Sequence, residues 1–139
     1  MDILNIDKIK ISNNHFLSEA LLLREWNIYA IPKRKSTLNN IFEVGMVVDM
    51  IEEILGEKII FTSFFRPKQY NIFIGGSKRS AHMYGKALDF KGTTLSADQI
   101  RAKLKPYLVE MGIRMENLPG SDWVHVDINK VINKRFFKP

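Results

Sequence analysis

Apolar and polar residues alternate along the chain with two periods, which divide it into a helical first half and a second half of short strands around one further helix. After Ser36 or Thr37, the residues Leu38, Ile41, Phe42, Met46, Met50, Ile54 and Leu55 recur at helical spacing, which predicts one long helix closed at Gly56. Residues 58–64, KIIFTSF, are β-branched and aromatic and predict a strand that leaves the sheet at Arg66-Pro67. Ser96 and Gln99 form a capping box ahead of Ile100, Leu104, Leu108 and Met111, a helix that Pro106 should kink and Gly112 should end. Residues 113–115 predict a short strand, 117–121 a turn, and 122–128 a second strand. In that last strand Val124, Val126 and Ile128 share one face and Trp123, His125 and Asp127 the other. The same period over residues 86–90 turns Leu88 and Phe90 inward and puts Ala87 and Asp89 on the opposite side.

The remaining segments carry weaker patterns. Residues 1–12, with Ile3, Ile6, Ile9 and Ile11, are expected to be extended. Ser18 is placed to cap a short helix reaching Leu23, with Glu19 in its first turn. Residues 27–35 and 68–79 are expected to be loops, the second holding Gly75 and Gly76, and the basic tail NKRFFKP is expected to fray. Together these elements suggest an α+β fold with a small, central, mostly antiparallel sheet flanked by helices, in one domain over residues 1–139.

Composition narrows the chemistry. With 139 residues, 45% of them apolar, one core can form without disulfides. The absence of cysteine excludes thiol chemistry and leaves histidine and carboxylates as the available metal ligands. The N-terminal stretch lacks the apolar core of a secretory signal and no run is long enough to span a bilayer, so the protein is expected to be cytoplasmic on synthesis, without membrane insertion. A net charge of +6 favours an anionic partner, but the charges are spread and no nucleic-acid motif accompanies them, so no nucleic acid is expected.

Two stretches concentrate the reactive groups: SAHMYGKALDF at 80–90 and DWVHVD at 122–127. If their strands are neighbours, Asp89 and His125 share a face. His82 lies seven residues before Asp89, an odd offset that requires a break in the strand, and Gly85 can supply it. His82, Asp89 and His125 are then a three-ligand set of the kind that holds zinc with an open position for water. Asp122, which the Pro119-Gly120-Ser121 turn can fold back over the face that carries His125, is the candidate base, and Arg66 the candidate donor to a developing oxyanion. Each residue also has an ordinary reading: a lone strand histidine is usually structural, which is the reading taken for His15, and a lone aspartate or arginine usually belongs to a turn or a solvated loop. Asp127 is read as a strand-end surface residue, with support of His125 as the alternative.

The ordered runs FTSFFRPKQYN, GGSKRSAHMYGKALDF and SDWVHVDI resemble those of the zinc peptidases that comprise D-alanyl-D-alanine carboxypeptidases and L-alanyl-D-glutamate endopeptidases. Ser80, His82, Gly85, Ala87 and Asp89 complete the S-x-H-x-x-G-x-A-x-D element, and Asp122, Trp123 and His125 the closing one; Asn71, Gly75 and Gly76 match the loop between. The first element departs, with Phe64 and Phe65 where glycine and tyrosine are usual. Phe16, Ser18 and Glu19 approach an N-terminal element of phage-type members. The resemblance implies a zinc site of His82, Asp89 and His125, with Asp122 as acidic catalyst and Arg66 at the transition state. It also implies a peptidoglycan stem-peptide substrate, a monomer, and action on the cell wall after release, in the manner of a phage endolysin. A carboxypeptidase and a non-catalytic zinc-binding domain of the same fold are the alternatives.

Overall fold

The computed structural model describes residues 5–139, so Ile3 of the expected N-terminal extension lies outside the described residues. Ile6 and Ile11 are buried in the core and the chain then pairs as β1 (Lys10–Ser12) with β2 (His15–Phe16). The short helix α1 (Leu17–Leu21) is capped differently from expectation. Phe16 takes the N-cap position, and Glu19 reaches back to accept its backbone N–H at 2.6 Å. Leu22 and Leu23 leave the helix to form β3 (Leu22–Leu23), paired with β4 (Ile28–Tyr29) in a hairpin where a helix end and a loop were expected.

The long helix α2 (Lys35–Leu55) ends, as its pattern predicts, at Gly56 in a left-handed cap. Its buried face runs through Ile41, Val44, Val48, Ile51 and Leu55, while Met46, placed on the apolar stripe by spacing, is exposed. Glu52 on that face is buried and bonds outward in three directions, to His15 Nε2 at 2.9 Å, Ile59 N at 2.8 Å and Asn14 Nδ2 at 3.1 Å. His15 is fully buried, bridges Glu19 and Glu52, and stacks on Phe61 at 4.2 Å. The structural reading of this histidine holds, with one carboxylate partner on the adjoining helical turn and the other on α2.

Five strands make the central sheet: β5 (Ile59–Ser63), β6 (Ala87–Gly92), β7 (Arg114–Glu116), β8 (Val124–Asp127) and β9 (Phe136–Phe137), in the order β5-β6-β8-β7-β9. All neighbours are antiparallel except β7 and β9. The tail expected to fray supplies β9. On one face, Phe61, Phe90 and Val124 line up across three strands and are buried with residues of α2 and of α4 (Ala97–Leu104). Ser96 and Gln99 form the expected capping box of α4. Pro106 breaks the helix as expected, through one 3-10 turn into α5 (Leu108–Met111), which Gly112 ends. Among the described residues no helix is long and apolar enough to cross a membrane.

The turn from β6 to α4 is held by Glu57, whose carboxylate accepts the backbone N–H groups of Thr93 and Thr94 at 2.7 and 3.0 Å and the Thr94 hydroxyl. These hydrogen bonds, led by the Thr94 hydroxyl, push the Glu57 pKa down to about 2. A carboxyl depressed on folding stabilises the protein above its unfolded value and loses that contribution as pH falls through the folded one. The unfolding midpoint of the parent should therefore exceed that of Glu57→Gln at neutral pH, and thermal melts should show the difference shrinking between about pH 4.5 and about pH 2.

Candidate metal centre

The second face of the sheet carries the reactive groups. The register pairs Ser63 with Asp89 and Asp89 with His125, so one row runs across β5, β6 and β8. Arg114 pairs with Asp127 and Met115 with Val126, and one further antiparallel step puts Glu116 opposite His125. The row continues to Phe137, which pairs with Glu116 in β9.

His82 arrives from outside the sheet. Ser80 caps a 3-10 turn (Ala81–Tyr84) by accepting the His82 N–H at 3.2 Å, and Gly85 follows at φ +71°. A side chain at Gly85 would be strained by that φ and would also place its Cβ 2.7 Å from the Thr37 carbonyl oxygen. The break that parity requires therefore exists, and it lets a turn residue meet a strand residue. His82 is 1% exposed, and its Nε2 lies 3.2 Å from Asp89 Oδ1.

Both imidazoles have one nitrogen committed. His82 Nδ1 donates to the Phe64 carbonyl oxygen at 2.7 Å, which leaves the Nε2 lone pair toward Asp89; that atom is buried without a well-formed hydrogen bond. His125 Nε2 donates to Asp127 Oδ2 at 3.0 Å, and its Nδ1 faces Asp89 Oδ1 at 2.7 Å. Ligand atoms of His82, Asp89 and His125 all lie within 4.8 Å of one another. Two nitrogens and a carboxylate oxygen, with each imidazole fixed by an oxygen acceptor behind it, fit a zinc ion.

Electrostatics agree with the geometry. Burial lowers the His82 pKa and keeps that ring neutral, as a ligand must be. Burial also works against charge on Asp89, but the neighbouring His125 and His82 rings outweigh it and hold the carboxyl well below the usual range. At His125 burial opposes protonation, yet the hydrogen bonds to Asp127 and Asp89 push its pKa up to about 9. A metal bound by Asp89 and His125 must displace that proton.

Asp127 is not at the surface as its strand-end position suggested. It is 1% exposed and paired with Arg114, whose Nε and Nη2 donate to its two carboxylate oxygens at 2.8 and 3.0 Å. Phe137 covers this pair, with the Arg114 guanidinium 4.2 Å from its ring. The alternation that puts His125 on this face also put Asp127 there, but the arginine that buries it sits in a different strand.

Arg66 reaches the site. Its backbone N–H donates to the His82 carbonyl at 3.0 Å, and its guanidinium lies 4.0 Å from Asp89 Oδ2 with Nε buried and unpartnered. Burial, partly offset by Asp89, lowers its pKa. Asp122 is exposed on the turn before β8, outside the three-residue cluster. A further carboxylate on the face of the cluster is that of Glu116, which sequence reasoning missed. It is half-buried, and burial raises its pKa against the opposing pull of His125. The signal was the strand at 113–115 with Met115 inward, which turns its neighbour outward; only the register identifies His125 as what it meets.

A mixed sheet backed by helices thus carries on its other face a His-Asp-His set that could hold a metal ion. The chain belongs to the peptidase M15 family, whose sequence model matches residues 15–127 and so includes every residue of the cluster. No curated protein matches the chain. Among solved structures it is similar to the L-Ala D-Glu endopeptidase ChiX of Serratia marcescens, with 17% identity and a TM-score of 0.46 over 68% of this chain and 87% of that one.

His82→Ala and His125→Ala should each abolish stoichiometric zinc binding, measured by elemental analysis of the folded proteins. Asp127→Asn should keep the ligands and weaken zinc by about tenfold to a hundredfold in competition with a chromophoric chelator.

Proposed function

We propose that the protein is a zinc-dependent peptidase that hydrolyses an amide bond of peptidoglycan stem peptides, the bond between L-alanine and D-glutamate. The carrying observation is that each histidine has one ring nitrogen held by an oxygen acceptor, the Phe64 carbonyl or the Asp127 carboxylate, so that His82 Nε2, Asp89 and His125 Nδ1 face one another in a member of a peptidase family. Zinc in this set would supply a water acidified to a pKa of about 7 and an electrophile for the scissile carbonyl. The rest of the chemistry belongs to the chain. Asp127 holds His125 in its tautomer, and Phe64 does the same for His82 through its carbonyl. Arg66, with an unpartnered buried donor beside Asp89, is placed to stabilise negative charge on the substrate oxygen.

The proton of the attacking water needs a carboxylate that is not a ligand. The motif offers Asp122 for this role and the sheet register offers Glu116; the half-buried position opposite His125, with a raised pKa, favours Glu116. Glu116→Gln should lower kcat by about a hundredfold or more, the usual worth of a general base, while Asp122→Asn should lower it less. The reverse order in steady-state kinetics would return the role to Asp122.

Incubation of the zinc-loaded protein with defined muropeptides, followed by mass spectrometry, tests the reaction itself. Cleavage between L-alanine and D-glutamate is expected. Release of free D-alanine alone would establish a carboxypeptidase instead, and stoichiometric zinc without any cleavage would leave a binding domain of the same fold.

A further inference from the structure

Beside the metal cluster runs a groove of about 900 Å³, between the start of α2, the 3-10 turn that carries His82 and the segment after Arg66. That segment, expected to be a loop, begins with a helix, α3 (Lys68–Phe73). Four cations line the groove, Lys33, Arg34, Lys68 and Lys78, and no carboxylate does. All four are exposed, and none forms an ion pair among the described residues. Uncompensated charge of one sign in a concave surface focuses its field on an anionic ligand.

A second observation identifies the ligand more closely. Asn71 lines the groove yet is only 2% exposed. Its Nδ2 donates to the Ser77 carbonyl at 2.9 Å, while its Oδ1 is buried without a partner. An unsatisfied buried acceptor is costly, which calls for a donor from a bound molecule. Only glycine fits beside it at position 76, where a Cβ would stand 2.1 Å from Asn71 Oδ1 and 3.0 Å from Arg66 Nη1. The acceptor of Asn71 and the guanidinium of Arg66 thus converge on one corner, and Arg66 continues from there to Asp89.

We propose that this groove binds the acidic flank of a peptide substrate, with a backbone N–H donated to Asn71 Oδ1 and free carboxylates set against Lys33, Arg34, Lys68 and Lys78. A polyphosphate polymer satisfies the cations equally, but it brings no N–H donor for Asn71 and nothing for the apolar walls contributed by Ile31, Phe65 and Ile72. The choice of a wall peptide as the source rests on the function proposed above; the site itself does not.

The test uses the dipeptide γ-D-glutamyl-L-lysine, which lacks the bond proposed to be cut, and its α-carboxamide, titrated calorimetrically into the zinc-loaded protein. The acid should bind about tenfold more tightly than the amide, the worth of one charge-assisted hydrogen bond, and its affinity should fall with added salt. The double variant Lys68→Glu/Lys78→Glu, both sites exposed, should lose that preference and retain the parent's circular dichroism and zinc content. Equal binding of acid and amide, an unchanged preference in the double variant, or no binding of either would overturn the proposal. Stronger, lysine-dependent binding of a glycerol-phosphate oligomer would overturn it in favour of a polyphosphate ligand. Selective binding of the acid without muropeptide cleavage would keep the groove and remove the peptidase reading; cleavage indifferent to the double variant and to amidation would do the opposite.

Discussion

Everything at the metal centre depends on the register between β6 and β8. Side chains on paired strands alternate with period two, so a slip of one residue would send Asp89 or His125 into the apolar face and bring Leu88 or Val126 out. The slip is opposed by the row on the other side, where Phe61, Phe90 and Val124 are all buried. Burying three such side chains is worth several kcal/mol, at roughly 1.5–3 kcal/mol each. The hydrophobic face therefore fixes the geometry of the polar one, and the ligands need contribute little to their own placement.

The parts of this arrangement that could be read from sequence are those set by local periodicity and turn chemistry. The opposite faces of Val124 and His125, the need for a break at Gly85, the cap at Gly56 and the capping box at Ser96 each follow from a few adjacent residues. The grouping of His82, Asp89 and His125 was legible because two such local patterns had to be neighbours for either to make chemical sense. What escaped depends on partners far along the chain. Asp127 is buried because Arg114 and Phe137 cover it, and β9 forms because β7 offers an edge. Glu116 joins the site through pairing that no local pattern encodes. At α3, Gly75 and Gly76 masked a helix whose inner residue, Tyr70, is held by packing against Trp26.

Charge in the site is balanced by carboxylates of unequal environment. Asp127 is neutralised by Arg114 before it touches His125, so it orients the ring while keeping its own charge, which hydrogen bonds from His125 and Arg114 stabilise against burial. Asp89 is held ionised between two imidazoles and an arginine. Glu116, without an ion pair among the described residues, has its pKa moved the other way. Three carboxylates on one sheet face thus differ in environment, the separation that the proposed roles of support, ligand and proton carrier require.

The Gly85 break has a consequence for the order of assembly. His82 and Asp89 lie close in sequence but on different kinds of structure, and the atom that completes their set, on His125, is 36 residues beyond Asp89. No fragment that stops short of β8 can therefore assemble this set. Capture of an ion by this set would be coupled to closing the β6–β8 pair, so its binding free energy would add to the stability of the folded sheet. On the proposed function, a nascent or partly unfolded chain would stay catalytically silent until that pair closes.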